Sequence, residues 1–458
     1  MPVPRDIIDR TLDTPHGEAA YKVIEKLMDA GHEAWWIGGA VRDMLCGKIP
    51  REIDMTSSAL PADVMKIFPK NDSYGAPLGT IVVSVSGHSF EITTYREDDT
   101  ASDGRHPESV RFGSKENDAQ RRDATVNAMY WNPVSHELYD PCNGQSDVKE
   151  RLVRLIGDPE TRIKHDALRI LRMIRLRTIL DGQYHPETYA ALKRNSQLVT
   201  GLSGMRVLQE LERLLLTETP SKGLEDWLET GVLKHLFPEL EACKGVAQPR
   251  EYHHEGDVWD HLKRCTDSYT EDFGMDVRIA GLFHDIGKAT TFALKERIRF
   301  DHHAEASAAI IGQTFKRLQM SQERIKKLQW LIEHHMMMDA FHKLSDERKA
   351  HWYFHPWFRE LLQLFWIDIK GTIPGDSKLY DFIIADYDTF LNSHPRPEKP
   401  LLSGEEIMTI AGLSPGEEVG KAIRLLKDAQ VRKDITSKAE AKKFLQQLFP
   451  ITETSQES

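Results

Sequence analysis

Strand-like patterns in this 458-residue sequence stop near residue 145, and that cut-off constrains the fold more than any other feature. Before it, the amphipathic helical run "GEAAYKVIEKLMDAG" leads into "EAWWIGG", "EIDMTSS", "TIVVSVSG" and "SFEITTYR", which read as strands. After it, "DALRILRMIRLRTIL", "MRVLQELERLLL" and "SQERIKKLQWLIEHH" carry the period of amphipathic helices. The sequence therefore predicts an α+β chain, with a mixed α/β module over residues 17–145 and an almost entirely helical remainder. Pro- and Gly-bearing joints, "FPELEACKGVAQPREYHHEG" and "GTIPGDSKL", divide that remainder near residues 250 and 375. The expected pieces are 17–145, 146–250, 251–375 and 376–450, the last reached through the Pro-rich linker "HPRPEKP" and followed by the polar tail "ITETSQES".

A hydrophobic fraction of 40% against 29% charged residues suits a globular chain with a substantial core. No apolar run approaches the ~18 residues of a membrane span, and the N-terminus has no basic-then-apolar signal pattern, so the expected compartment is the cytoplasm. Cys46, Cys142, Cys243 and Cys265 show no close pairing, which argues for free thiols over disulfides or a cysteine zinc site. A net charge of −11 excludes a surface coated in positive charge, leaving polyanion binding to local patches.

One constellation lies in "WWIGGAVRD" and just beyond. A strand running into Gly38-Gly39 and then a helix with Arg42 lets backbone N–H groups approach a phosphate, although a plain tight turn reads the same way. Glu52 and Asp54 are two apart in a strand-like stretch and share one face. A solvated acidic face explains such a pair, and so does a Mg²⁺ ion bridging it to phosphate oxygens. Glu91, between Phe90 and Ile92, projects away from its apolar neighbours and offers a third carboxylate. Three acids from two strands suit two-metal phosphoryl chemistry, with Arg42 clamping a triphosphate.

A second constellation reads as a helix carrying Arg121, Arg122, Asp123 and Asn127, with Asp123 and Asn127 on one face. Further on, Asp166 and Arg169 stand at i and i+3, spaced to hold each other rigid on a helix surface, as an ordinary salt bridge or as a base-reading pair. Residues 151–177 hold eight Arg or Lys against three acids, a local excess of five that suits an RNA backbone or a merely solvated face. A third constellation comprises His261, His284-Asp285, His303, His335 and Asp368, able to gather round a divalent metal that activates water.

Taken in order, "GGAVRDML", "EIDMTSSAL", "FEITTYREDDTASDGRHPESVRF", "RRDATVNAMYWNP" and "DPCNGQSDV" resemble the head of the class II tRNA nucleotidyltransferases and bacterial poly(A) polymerases, of the polymerase-β-like superfamily. The histidine blocks resemble the HD phosphohydrolase domain, and "LLSGEEIMTIAGLSPGEEVGKAIRLLKDAQ" resembles the family's C-terminal helical piece. The resemblance implies catalytic, Mg²⁺-holding carboxylates at Glu52 and Asp54, with Glu91 beside them. It implies nucleotide binding by Gly38, Gly39, Arg42, Asp43, Arg122, Asp123, Asn127, Asp166, Arg169 and Arg172, where Asp166 and Arg169 template the incoming CTP or ATP. In the HD block it implies a second divalent metal on His261, His284, Asp285 and Asp368. Two positions depart from the family: Glu52 replaces the usual Asp, reaching one methylene further, and His165 replaces the Glu that precedes the template pair.

The implied activity is Mg²⁺-dependent addition of CMP and AMP to the tRNA 3′ end, with tRNA, CTP and ATP as partners and no membrane. Addition of CC alone, addition of A alone and poly(A) synthesis are rivals of the same chemistry, and the retained loop "REDDTASDGRHPESVRF" speaks against the first. A rival of another class is an HD-domain phosphohydrolase or RNA-binding protein with a weakened transferase head.

Overall fold

The computed structural model describes residues 2–97, 111–393, 400–431 and 434–449, which leaves most of the "REDDTASDGRHPESVRF" loop, the "HPRPEKP" linker and the polar tail outside the described residues. The chain folds into two compact units: one runs to Ala242 and takes in Thr314–Met320, the other comprises Cys243–Gln313 and the chain from Ser321 onward.

The first unit is built on a mixed seven-stranded sheet. Its strands are β1 (Ala34–Ile37), β2 (Asp54–Ser57), β3 (Asn71–Asp72), β4 (Thr80–Val85), β5 (His88–Thr94), β8 (Tyr130–Trp131) and β9 (Leu138–Tyr139), in the order β3-β4-β5-β2-β1-β8-β9. A separate two-strand ladder joins β6 (Arg96–Glu97) to β7 (Arg111–Phe112). β2 lies parallel to β5 and antiparallel to β1, so the two acid-bearing strands are neighbours that point the same way. β1 is buried along its whole length, and the Trp36 ring meets Trp131 edge-on at 5.1 Å. The helix Pro15–Asp29, capped by Thr14 Oγ1 accepting from Gly17 N–H, turns Ala20, Val23, Ile24 and Leu27 inward.

Helices then take over. Leu168–Leu180 is buried on most of its circumference and packs on Gly204–Leu215 and Pro220–Glu229. The helical remainder holds strands that sequence periodicity does not show: Leu152–Val153 pairs in parallel with Gln183–Tyr184, and Ala293–Leu294 forms a hairpin with Ile298–Arg299. Two residues are too few to display a period of two.

The second unit packs helices Val258–Thr266, Met275–Phe283, Gln322–His334 and Phe358–Gly371 against one another. Residues 401–449 enclose their own apolar cluster, with Leu402, Ile407, Leu426 and Leu445 fully buried. In that stretch "SPGEEVG" joins helix Gly404–Ala411 to Glu417–Val431. Among the described residues no helix is long and apolar enough to cross a membrane, and all four cysteines are free.

Candidate active site and metal centre

In the first unit, β1 ends at Ile37 and the chain turns at Gly38, which adopts φ +67° as the cap of helix Gly39–Leu45. A left-handed backbone there is costly for any residue with a Cβ. Arg42, in the last turn of this short helix, does not reach freely into solvent. It is buried, its Nε and Nη2 donate to Asp43 Oδ1 at 2.9 and 2.6 Å, and its Nη1 donates to Asn127 Oδ1 at 2.8 Å. Arg42, Asp43 and Asn127 thus form one rigid group under the turn.

Glu52 and Asp54 flank the buried Ile53 and both face solvent, as does Glu91 between buried Phe90 and Ile92. The parallel register sets Met55 against Ile92, which puts Asp54 and Glu91 side by side one step earlier. Partial desolvation, then the charges of Glu91 and Glu52, push the Asp54 carboxyl above its ordinary value, against the pull of Arg122 and Arg213. An all-oxygen donor set crowded with like charge fits a hard divalent cation.

The second constellation is arranged differently from the expected helix. Lys115–Gln120 is the helix, it ends at Arg121, and Thr125–Asn127 forms a short 3₁₀ turn. The backbone between is drawn into another pairing: Thr125 N–H donates to Arg154 O, Ile156 N–H donates to Asp123 O, and Ala124 bridges Leu155. Asp123 and Asn127 therefore do not share a helical face. Asp123 instead accepts from Arg169 Nε at 2.8 Å and Arg172 Nη1 at 2.5 Å, and these guanidiniums outweigh burial to hold its carboxyl below the usual range. Arg122 and Arg121 converge on buried Asp118, whose Oδ2 also accepts from Tyr130 Oη at 2.7 Å.

The expected Asp166–Arg169 side-chain pair is also corrected. Asp166 ends helix Pro159–His165 with an extended backbone, so the two residues do not lie on one helix. Arg206 Nη2 holds both Asp166 oxygens at 3.1 and 3.0 Å. His165 is the last residue of that helix. The basic excess of 151–177 is likewise not an open positive face. Arg154 pairs with Asp147, Arg169 and Arg172 with Asp123, Arg175 with Glu210 and Arg177 with Asp226. The neutralising acids lie outside that window: Asp123 is marked in the sequence as a nucleotide contact rather than as a partner of Arg169 and Arg172, and Glu210, Asp226 and Arg206 carry no sequence signal.

The second unit brings the histidine blocks together. His284 caps the helix Met275–Phe283 and Asp285 follows it, so the pair sits just past a helix rather than within one. His261 Nε2 lies 3.3 Å from His284 Nε2, 3.6 Å from Asp285 Oδ2 and 3.2 Å from Asp368 Oδ1. His303 and His335 approach Asp285 Oδ1 from the other side at 3.2 and 3.7 Å. Burial, with His284 adding to it, brings His335 down to about 4, leaving a neutral imidazole. Asp285 Oδ1 and His303 Nε2 are buried and face each other at 3.2 Å, and against the effect of burial that pairing raises His303. Buried nitrogen and carboxylate donors gathered this closely fit a metal ion.

Three partners lay outside the sequence reading. Lys288 Nζ binds Asp285 Oδ2 at 2.6 Å, Glu255 Oε1 faces His261 Nδ1 at 3.3 Å, and Cys265 Sγ lies 3.5 Å from His261 Nε2. Burial works to raise Glu255, but hydrogen bonds from His261 and His253 bring it to about 2. A cleft of about 840 Å³ opens on Asp285, His303, His335 and Asp368, with exposed Arg250 and Arg299 at its edge.

Comparison with known proteins follows this geometry. The family models for the poly A polymerase head domain, the probable RNA and SrmB-binding site of polymerase A, and the HD domain match residues 34–154, 183–244 and 252–349. By these matches the chain carries a poly A polymerase head domain, the RNA-binding segment of polymerase A and an HD domain, in that order. The CCA-adding enzyme of Ligilactobacillus salivarius is 37% identical over 217 residues, covering 47% of this chain and 54% of that protein. That of Geobacillus stearothermophilus is 37% identical over 223 residues, covering 48% and 55%. The chain thus spans about half the length of the curated relatives it matches.

Among solved structures, the Bacillus stearothermophilus CCA-adding enzyme in complex with CTP superposes with a TM-score of 0.60 at 23% identity, over 95% of this chain and 98% of that one. The Thermotoga maritima CCA-adding enzyme complexed with tRNA gives 0.52 at 19%, over 98% of each. At these identities the likeness shows the shared fold of head, helical neck, HD domain and helical tail.

Proposed function

We propose that this chain is a tRNA nucleotidyltransferase that adds CMP and AMP from CTP and ATP to the tRNA 3′ end, working in the cytoplasm. The observation that carries the reading is the meeting of Glu52, just before β2, with Asp54 at the start of β2 and Glu91 on β5. The names and sequences of the CCA-adding enzymes it matches support it. On this reading residues 17–145 are the catalytic head, 146–250 a neck that also meets RNA, 251–375 the HD domain and 376–450 a helical tail.

Glu52 and Asp54 would hold Mg²⁺, with Glu91 beside them; bound there, the ion would supply neutralisation of phosphate charge as the RNA 3′-hydroxyl attacks the α-phosphate in line and pyrophosphate leaves. Gly38 and Gly39 present backbone to the triphosphate, while Asp43 and Asn127 keep Arg42 fixed beneath them. Arg122 is oriented by Asp118 and Tyr130, and lies close enough to Asp54 to lower its proton affinity. Asp123 spaces Arg169 and Arg172, and Arg206 orients Asp166, so the base-reading groups are aligned by separate partners.

The test is to incubate the protein with tRNA ending before CCA, after C and after CC, each with CTP or ATP. Stepwise completion to CCA is expected. Failure to extend any of the three would refute the transferase, and extension of only the CC-ended tRNA by ATP would reduce it to an A-adding enzyme. A folded Glu52→Ala, Asp54→Ala variant that polymerises as fast as the parent would remove the carboxylates from the reaction.

A second activity is favoured by one observation, the convergence of His261, His284, Asp285 and Asp368 in the other unit. These residues would hold a divalent ion that supplies metal-activated water for phosphoester hydrolysis. Lys288 keeps Asp285 ionised, and Glu255 turns the His261 ring so that Nε2 faces the centre. Replacing His284 and Asp285 by Ala is expected to abolish phosphoesterase activity and leave nucleotide addition intact.

A further inference from the structure

The centre in the second unit includes one donor that the histidines and aspartates do not account for. His261 and Cys265 lie one turn apart on helix Val258–Thr266 and so share a face. Both are 0% exposed. Cys265 Sγ and one ring nitrogen each of His261 and His284 lie within 4.8 Å of one another, Sγ being 3.5 Å from His261 Nε2. The other neighbours of that nitrogen, at 3.2 to 3.6 Å, are the Asp368, His284 and Asp285 donors. Donors bound to a common ion at ~2.0–2.3 Å in a tetrahedron stand roughly 3.3–3.8 Å apart, so the 3.5 Å between the thiol and His261 Nε2 is that of two donors on one ion.

Two further features favour a ligand over mere packing. Gly371 closes helix Phe358–Gly371 three residues after Asp368, and a Cβ there would collide with Cys265 Sγ and press on the His261 ring, so the backbone leaves room for these two groups. Asp285 Oδ1 and His303 Nε2 are also buried in the same centre, on residues 2% and 8% exposed, and stand 3.2 Å apart, a spacing that two donors on a shared ion also have.

We propose that Cys265 is a metal ligand in this centre and that its thiolate makes the site select a borderline, thiophilic ion of the zinc and cobalt class over magnesium. The proposal rests on the metal-centre reading of the second unit and is independent of the transferase. Thiolate is a soft donor, whereas carboxylates and water alone favour hard cations. Coordination replaces the S–H bond with an S–metal bond and releases that proton to solvent, so metal uptake lowers the pH of an unbuffered solution. The site also becomes sensitive to thiol oxidation, which the His and Asp ligands are not.

The probe is Co²⁺ added to the full chain. The expected result is a thiolate-to-cobalt charge-transfer band that saturates at one equivalent and survives a Cys46→Ser, Cys142→Ser, Cys243→Ser triple variant. Cys265→Ala, and Cys265→Ser as the near-isosteric second variant, should bind cobalt without that band. Both should lose at least the roughly tenfold zinc affinity that removal of an outer-shell partner costs, with magnesium affinity unchanged. Bound cobalt without the band in the parent, or Cys265→Ser matching the parent in spectrum and zinc affinity, overturns the proposal. His284→Ala separates the two levels: if it binds cobalt as the parent does, the metal centre itself is refuted. If it abolishes binding while Cys265→Ser changes nothing, only the role of Cys265 falls.

Discussion

At Asp54 three negative charges meet on one face, at a cost to the stability of the metal-free protein. Its folded-state value is raised above the ordinary 3.8 by partial desolvation and then by Glu91 and Glu52, so the metal-free protein loses stability as pH rises through that value. Asp54→Asn is therefore expected to abolish nucleotide addition and to raise the metal-free melting temperature at pH 7 by about 2 °C, a gain that vanishes well below pH 3.8. Calorimetry across that range checks it, and a lower melting temperature at pH 7 would refute the crowding argument. Asp123 is the opposite case, because its charge is matched by Arg169 and Arg172. Asp123→Asn leaves two guanidiniums facing each other and should cost about 2–3 kcal/mol in urea unfolding, together with discrimination between CTP and ATP.

The turn between β1 and helix Gly39–Leu45 shows what an element contributes. A Cβ at Gly38 has room, since its nearest neighbour is Asn127 O at 4.0 Å, and the obstacle is the φ of +67°. Gly38→Ala is expected to cost about 1–2 kcal/mol and to raise KM for both nucleotides while leaving KM for tRNA unchanged. Steady-state kinetics with each substrate varied in turn checks this. The segment 121–127 shows the limit of periodicity. Its Asp-x-x-x-Asn spacing suits a helix, yet Ala124 and Thr125 pair with Leu155 and Arg154. A pairing with residues some thirty positions away leaves no mark on local spacing.

Across the whole molecule, two units with their own buried cores divide the chemistry. Oxygen donors gather in one and imidazole-rich donors in the other. Each ligand should stabilise only the unit that binds it. A nonhydrolysable nucleoside triphosphate with Mg²⁺ is expected to raise one calorimetric transition, and one equivalent of Zn²⁺ the other. A single transition that both ligands raise equally would argue that the units unfold as one.

Sequence alone determined the α+β class, the confinement of the large sheet to the first third of the chain, and the kinds of side chain available to each cluster. Strand alternation around Glu91, the two-residue spacing of Glu52 and Asp54, and adjacent His284-Asp285 are local signals, and local signals survive into the fold. Only the tertiary structure decided which partner each charge takes. Asp166 goes to Arg206 rather than Arg169, the basic run of 151–177 is neutralised by acids outside it, and Cys265 enters the histidine cluster. The physical reason is that ion pairs and metal donors are chosen by distance in space, where a buried charge must find its complement, whatever its separation along the chain.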